Sequence, residues 1–259
     1  MKIATGYRVL DGSELAWIDK SANEGFRYME LATSALPSDS GRRDAVIRYA
    51  KECGFTASIH APYGTTNITS SDPLLRAESL GRVRDAIILA ARHELSTVTV
   101  HPGRLSSPEE SPADNIALML DTVAELAELA RSLGVRLGLE NMELRKNELI
   151  RSVDELNVFA PIAKENPYLG VTIDFVHYST LGLGMPDLSA LKLPIYDVHL
   201  SQNVDGVTHL SLTKPNGIVD LTAVFRSLTE SGYDGLTVLE SRDGHAESLR
   251  LLNNMGMGM

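Results

Sequence analysis

Short runs of β-forming residues recur along the chain, and seven of them stop where an apolar residue is followed by a side chain able to bind a metal or move a proton. The pairs are Met29-Glu30, Ile59-His60, Val100-His101, Leu139-Glu140, Ile173-Asp174, Val198-His199 and Leu239-Glu240. Successive strand side chains point to opposite faces, so the apolar member packs outward and the polar member points the other way. The position two before the polar residue is mostly small or polar, as in Ser58, Thr99, Gly138, Thr172 and Asp197. For any one pair, polar loops following strands explain the pattern equally well; for seven in the same register they do not.

Helical periodicity fills the intervals. Ser13 caps an expected helix through Ala22, and Gly41 to Glu52 reads as the next. Asp72 followed by Pro73 opens a third, with Leu80, Val83, Ile87 and Ala91 on one face. A fourth carries Ile116, Leu120, Val123, Ala127 and Ala130 and stops at Gly134. Ser152-Val153-Asp154-Glu155 is a capping box whose helix Pro161 should end or kink, Asp220 caps another, and the last begins near Ala246. His93 in the last turn of the third helix reads as structural, and His245 as a surface residue.

With a first strand at Met1 to Gly6, eight strands alternate with helices, one strand-plus-helix unit per interval, which implies parallel strands joined by right-handed crossovers. The expected fold is α/β, a single (β/α)8 TIM barrel over residues 1–252, with its site at the C-terminal strand ends. Residues 253–259 lack periodicity and are expected to form a mobile tail. Between Leu200 and Val219 lie about twenty residues including Asn203, Asp205, His209 and Lys214, expected to act as a substrate lid.

Composition narrows the function. The 259 residues suit one barrel domain, and no run approaches the ~18 apolar residues of a membrane span. No secretory signal follows Met1, so the expected compartment is the cytoplasm. Cys53, the single cysteine, has no internal disulfide partner. A formal charge of −10 counts against nucleic acid as a partner without excluding it. Gly182 and Gly184 lack the third glycine of a dinucleotide fingerprint, and there is no P-loop. Glu30, His60, His101, Glu140, Asp174, His199 and Glu240 cannot gather at one barrel end as bare charges, and a bound cation is the cheapest remedy. The sequence is compatible with a homo-oligomer and sets no oligomeric state.

In chain order stand HAPYGTTN (His60 to Asn67), VHPG (Val100 to Gly103), LEN (Leu139 to Asn141), DFVH (Asp174 to His177), HLSQN (His199 to Asn203) and LES (Leu239 to Ser241). On these motifs essentially the whole chain resembles the xylose isomerase-like TIM barrels, the superfamily that joins sugar isomerases and epimerases to endonuclease IV. In the isomerase and epimerase branch, the resemblance implies one divalent ion, manganese, magnesium or cobalt, on Glu140, Asp174, His199 and Glu240. Glu140 and Glu240 would exchange protons beside a carbonyl through a metal-stabilised enediolate. The substrate would be a small carbohydrate, with or without phosphate, or a polyol. Glu30, Asn67 and Lys214 are the expected substrate contacts, joined by His177; Arg104 and Lys214 are candidates for meeting a phosphate and are equally well read as solvated surface.

In the endonuclease IV branch the same four residues would hold zinc, Glu140 would bridge to a second zinc on His60 and His101, and His177 and His209 would hold a third. The reaction would then be zinc-dependent phosphodiester hydrolysis, as in an AP endonuclease. That branch places an acid two residues before the counterpart of His209; here the position is Val207, with Asp205 out of register. In the first branch His60 and His101 serve as substrate contacts. A barrel that binds carbohydrate without chemistry is a third alternative.

Overall fold

The computed structural model describes residues 1–7 and 13–257. The β-forming runs become β1 (Lys2–Tyr7), β2 (Tyr28–Ala32), β3 (Thr56–His60), β4 (Thr97–Val100), β5 (Arg136–Glu140), β6 (Leu169–Asp174) and β7 (Ile195–Leu200). After a two-stranded insertion, β8 (Gln202–Val204) and β9 (Val207–Leu210), the last barrel strand is β10 (Leu236–Leu239). Parallel pairing runs in the closed order β1-β10-β7-β6-β5-β4-β3-β2, the expected (β/α)8 barrel.

The crossovers are α1 (Glu14–Asn23), α2 (Ser40–Glu52), α3 (Pro73–Arg92) and α4 (Pro112–Leu133), then α5 (Val153–Leu156), α6 (Ala160–Glu165), α7 (Phe175–Ser179) and α8 (Leu221–Glu230), and α9 (His245–Asn254) follows the last strand. Their starts follow capping chemistry. Asp72 accepts from Leu74 N and Asp220 from Ala223 N, and the Ser152/Glu155 box is complete in both directions. Asp39 caps α2 by accepting from Arg42 N, so the helix begins at Ser40, one residue before the expected start. Gly134 takes φ 71° just past α4, a left-handed stop that glycine adopts without steric cost. None of the described helices is long and apolar enough to cross a membrane.

Several expectations change. Pro161 neither ends nor kinks a continuous helix: a 3-10 turn over Asn157–Phe159 intervenes, and Pro161 lies in the first turn of α6, where its missing N–H costs nothing. The first half of the segment after β7 is a β-hairpin turning at Asp205 (φ 52°) and Gly206 (φ 83°), while residues 211–219 form no strand or helix. The start of the expected tail is ordered: α9 runs to Asn254, and Met255 and Met257 pack against the core; residues 258 and 259 lie outside the described residues. His245 is buried rather than on the surface, with Nδ1 2.8 Å from Thr5 Oγ1 and Nε2 2.9 Å from Ser241 O. His93, as expected, is structural, its Nε2 2.8 Å from Asp44 Oδ1.

The main apolar core lies between barrel and helices, where Ile47, Ile59, Ile87, Leu126, Val171 and Val198 meet. Inside the barrel, Ala4, Leu236 and Val238 form a small separate cluster. Along the chain toward the strand ends the inward layer turns small and polar: Ser58, Thr99, Gly138, Thr172 and Asp197 are all fully enclosed or nearly so. Thr99 Oγ1 and Thr172 Oγ1 are 3.0 Å apart, and a Cβ on Gly138 would stand 2.4 Å from Thr172 Oγ1. This layer supports the strand ends. Gly138→Ala should therefore cost about 1–3 kcal/mol by overpacking; urea unfolding checks this, and an unchanged midpoint would show that Thr172 turns aside freely.

Candidate metal centre

Glu30, His60, Glu140, Asp174 and His199 lie in β2, β3, β5, β6 and β7, and His101 and Glu240 are the first residues beyond β4 and β10. All are buried except His101, which is half-buried. Glu140 is the hub. Its Oε1 lies 3.0 Å from His199 Nδ1 and 3.5 Å from His177 Nδ1, and its Oε2 lies 3.0 Å from His101 Nε2 and 3.3 Å from His60 Nε2. Glu240 Oε2 is 3.0 Å from the same His199 Nδ1.

Ligand atoms of Glu140, Asp174, His199 and Glu240 all fall within 4.8 Å of one another; so do those of His60, His101 and Glu140, and those of Asp174, His177, His209 and Glu240. Three histidines hold one ring nitrogen against a main-chain carbonyl: His60 Nδ1 to Ala61 O (2.8 Å), His177 Nδ1 to Asn141 O (2.8 Å) and His209 Nδ1 to Glu240 O (3.1 Å). Each thereby presents Nε2 to the centre, the arrangement that fixes the tautomer of a ligating imidazole. Asp174 spends Oδ1 on the Val176 and His177 N–H groups, while its buried Oδ2 accepts no hydrogen bond. Asn141 ties β5 to β6, accepting from Asp174 N and donating to Asp174 O. The donor set, its fixed tautomers and the unused Asp174 oxygen fit a divalent ion.

Electrostatics follow from this packing. Burial pushes the Glu140 carboxyl up, but His199, His101 and His60 outweigh it and hold the group well below the usual range. Burial lowers His199, yet Glu30 and Glu140 carry it well above its ordinary value. Burial likewise lowers His101, against the pull of Glu140. Deeper in the barrel, burial and the nearby Glu30 charge push the Asp197 carboxyl well up, so this interior acid tends to stay neutral.

Three expected substrate contacts sit elsewhere. Glu30 faces His199, its Oε2 3.2 Å from Nε2, which orients that ring so that Nδ1 meets Glu140 and Glu240. Asn67 is buried away from the cavity: its Oδ1 accepts from Thr69 N, Thr69 Oγ1 and Arg104 N, and its Nδ2 donates to Arg104 O. It clamps the β3 loop to the β4 loop. Lys214 is exposed, outside the cavity lining.

Sequence reasoning missed Glu143. From the β5 loop its Oε1 accepts from Thr208 Oγ1 (2.7 Å) and lies 3.4 Å from His209 Nε2 and 4.0 Å from His177 Nε2. The His209 contact above all holds its carboxyl below the usual range. The acid beside this histidine pair thus comes from a different loop than the one holding Val207. Its position three residues past Glu140 was the available signal.

Above the cluster opens a cavity of about 410 Å³, within the ~300–1,000 Å³ of small-molecule sites. Glu240, His60, His101, His177 and His209 line it, together with Tyr63 and Met142. Tyr63 stacks on His101, with ring centroids 5.5 Å apart. A larger cavity of about 630 Å³, between residues 186–195 and 227–234, contains none of the strand-end groups.

Fold and site together define a parallel α/β barrel with a buried acid–histidine cluster at the C-terminal ends of its strands. The chain belongs to the xylose isomerase-like TIM barrel family, whose model matches residues 18–255. It is 30% identical over 193 residues to an uncharacterised protein of Methanocaldococcus jannaschii, covering 71% of this chain and 64% of that one. It is 27% identical over 147 residues to a probable endonuclease 4 of Persephonella marina, covering 56% of this chain and 50% of that one. The chain thus spans between half and two thirds of these relatives' lengths. The structure of a D-tagatose 3-epimerase-like protein superposes with a TM-score of 0.82 at 23% identity, covering 98% of this chain and 96% of that one, a likeness of fold.

Two outcomes follow from the geometry. In the metal-free protein the raised His199 value keeps that ring protonated until pH climbs through it, so an ion arriving at Nδ1 must displace a proton. Divalent-ion affinity should therefore rise with pH, with proton release visible by calorimetry in buffers of different ionisation enthalpy; a pH-independent affinity would exclude ligation by His199. Glu30→Gln should weaken ion binding about 10–100-fold by loosening that ring, measured by the same titration.

Proposed function

We propose that this chain is a divalent-metal-dependent isomerase or epimerase of a small carbohydrate or polyol, moving a proton at the carbon beside a carbonyl. The observation that carries the reading is the convergence of Glu140 and Glu240 on one atom, His199 Nδ1, each at 3.0 Å, beneath a cavity of small-molecule size. Glu140, Asp174, His199 and Glu240 would hold the ion, and mixed oxygen and nitrogen donors suit manganese, magnesium or cobalt. When bound there, the ion supplies positive charge to neighbouring substrate oxygens.

Glu240 faces the cavity and is the proposed base. Glu140, buried with both oxygens turned to imidazoles, serves first as a ligand, and its share in proton transfer rests on the family resemblance. His60, whose Nε2 is left as an acceptor by the Nδ1 bond to Ala61 O, and His101 line the cavity as hydrogen-bond partners of substrate hydroxyls, and the Tyr63 face offers an apolar surface to sugar C–H groups.

One observation favours the second reading, zinc-dependent phosphodiester hydrolysis. The two oxygens of Glu140 face separate histidine groups, His60 with His101 and His199 with His177, which suits a carboxylate shared by two ions.

The deciding experiment pairs elemental analysis with solvent-deuterium exchange into a sugar panel followed by NMR. One ion per chain with exchange at a carbinol carbon is expected, and Glu240→Gln should lower the exchange rate on the order of 10²–10⁴-fold while circular dichroism stays unchanged. Replacing His60 and His101 by alanine together should raise KM without altering ion content. Loss of a whole ion in that double variant, with phosphodiester cleavage by the parent, would overturn the proposal in favour of the second reading.

A further inference from the structure

The floor of the site cavity is built of histidines and Glu240, but its wall carries three guanidinium groups from three different loops. Arg104 stands three residues past His101, Arg145 five past Glu140 and Arg242 two past Glu240. A chain of net charge −10 offers no general excess of arginine to account for this.

Their surroundings differ. Arg104 is held in place by main-chain acceptors, Nη1 donating to Thr66 O (3.1 Å) and Nη2 to Gly64 O (2.7 Å), and its loop is locked by Asn67. These bonds orient the group without neutralising it, and a guanidinium has five N–H donors. Arg145 is neutralised, since its Nε donates to Glu143 Oε2 at 2.8 Å and Nη2 reaches the same carboxylate. Arg242 donates its main-chain N–H to His209 O at 3.0 Å, which ties its loop to the hairpin, while its exposed side chain makes no ion pair among the described residues. Glu148 also lines the wall but makes no ion pair with either Arg104 or Arg242 among the described residues. Two cationic groups, Arg104 and Arg242, thus remain without a paired carboxylate on the described cavity wall.

We infer that the substrate carries a phosphate monoester, seated by Arg104 and Arg242 at the cavity wall while its carbonyl end reaches down to Glu240. Two unneutralised guanidinium groups match a dianion, and the planar fork of each donates two parallel hydrogen bonds to phosphate oxygens. Anchoring the far end of a short sugar phosphate would leave its reacting carbons over the acid–histidine floor and restrict their orientation. The inference rests on the isomerase reading and adds to it the class of substrate.

The test uses the metal-loaded protein and the deuterium-exchange assay with three sets of probes: free ketoses, their terminal phosphate esters and the corresponding sugar acids. The phosphate esters should exceed the free sugars in kcat/KM by about 100-fold or more. In R242A that preference should fall about tenfold or more, and R104A should lower it further. R242A removes no side-chain contact among the described residues, so its fold should be unaffected. Equal or better turnover of free sugars, a preference for sugar acids, or a preference unchanged in both variants overturns the phosphate inference and leaves the isomerase reading standing. Exchange with no sugar, together with cleavage of a phosphodiester, overturns both.

Discussion

A carboxylate with no exposed surface, Glu140, sits at the mouth of the barrel, and most of the surrounding structure answers the need to keep it charged there. Taking such a group out of water costs several kcal/mol even after the protein relaxes. Four imidazoles within 3.0–3.5 Å of its two oxygens offset that cost. They in turn need fixed orientations, since an imidazole that presents its N–H to a metal cannot ligate it. Glu30 orients His199, and the main-chain carbonyls of Ala61 and Asn141 orient His60 and His177.

The loops follow from the same requirement. Asn141 and Asn67 use side-chain amides as cross-braces, one between β5 and β6 and the other between the β3 and β4 loops. The hairpin after β7 delivers His209 and Thr208 onto His177 and Glu143, and His209 adopts φ 56° to do so, a left-handed conformation uncommon outside glycine. The result is a cavity whose floor is an acid–histidine cluster and whose wall carries three arginines.

Much of this was legible along the chain because a parallel barrel imposes a two-residue alternation and one crossover per strand. The seven strand-end groups and the caps at Asp72, Ser152 and Asp220 needed only local rules. The hairpin was legible too, since Asp205-Gly206 is a strong turn signal, but the length of the segment suggested an irregular lid. His245 could not be placed from its neighbours, because its burial depends on Thr5 and Trp17 at the other end of the sequence.

Sequence alone determined which residues point inward and at which strand end they gather, since both depend on periodicity over a few residues. Tertiary structure decided what those residues do to one another. Glu30 became the partner of His199 across 169 positions, Asn67 a brace between two loops, and Glu143 rather than Asp205 the acid beside His177 and His209. Three arginines scattered between positions 104 and 242 became one cavity wall. Hydrogen bonds and ion pairs act over about 3–4 Å, and only barrel closure brings such distant residues within that reach.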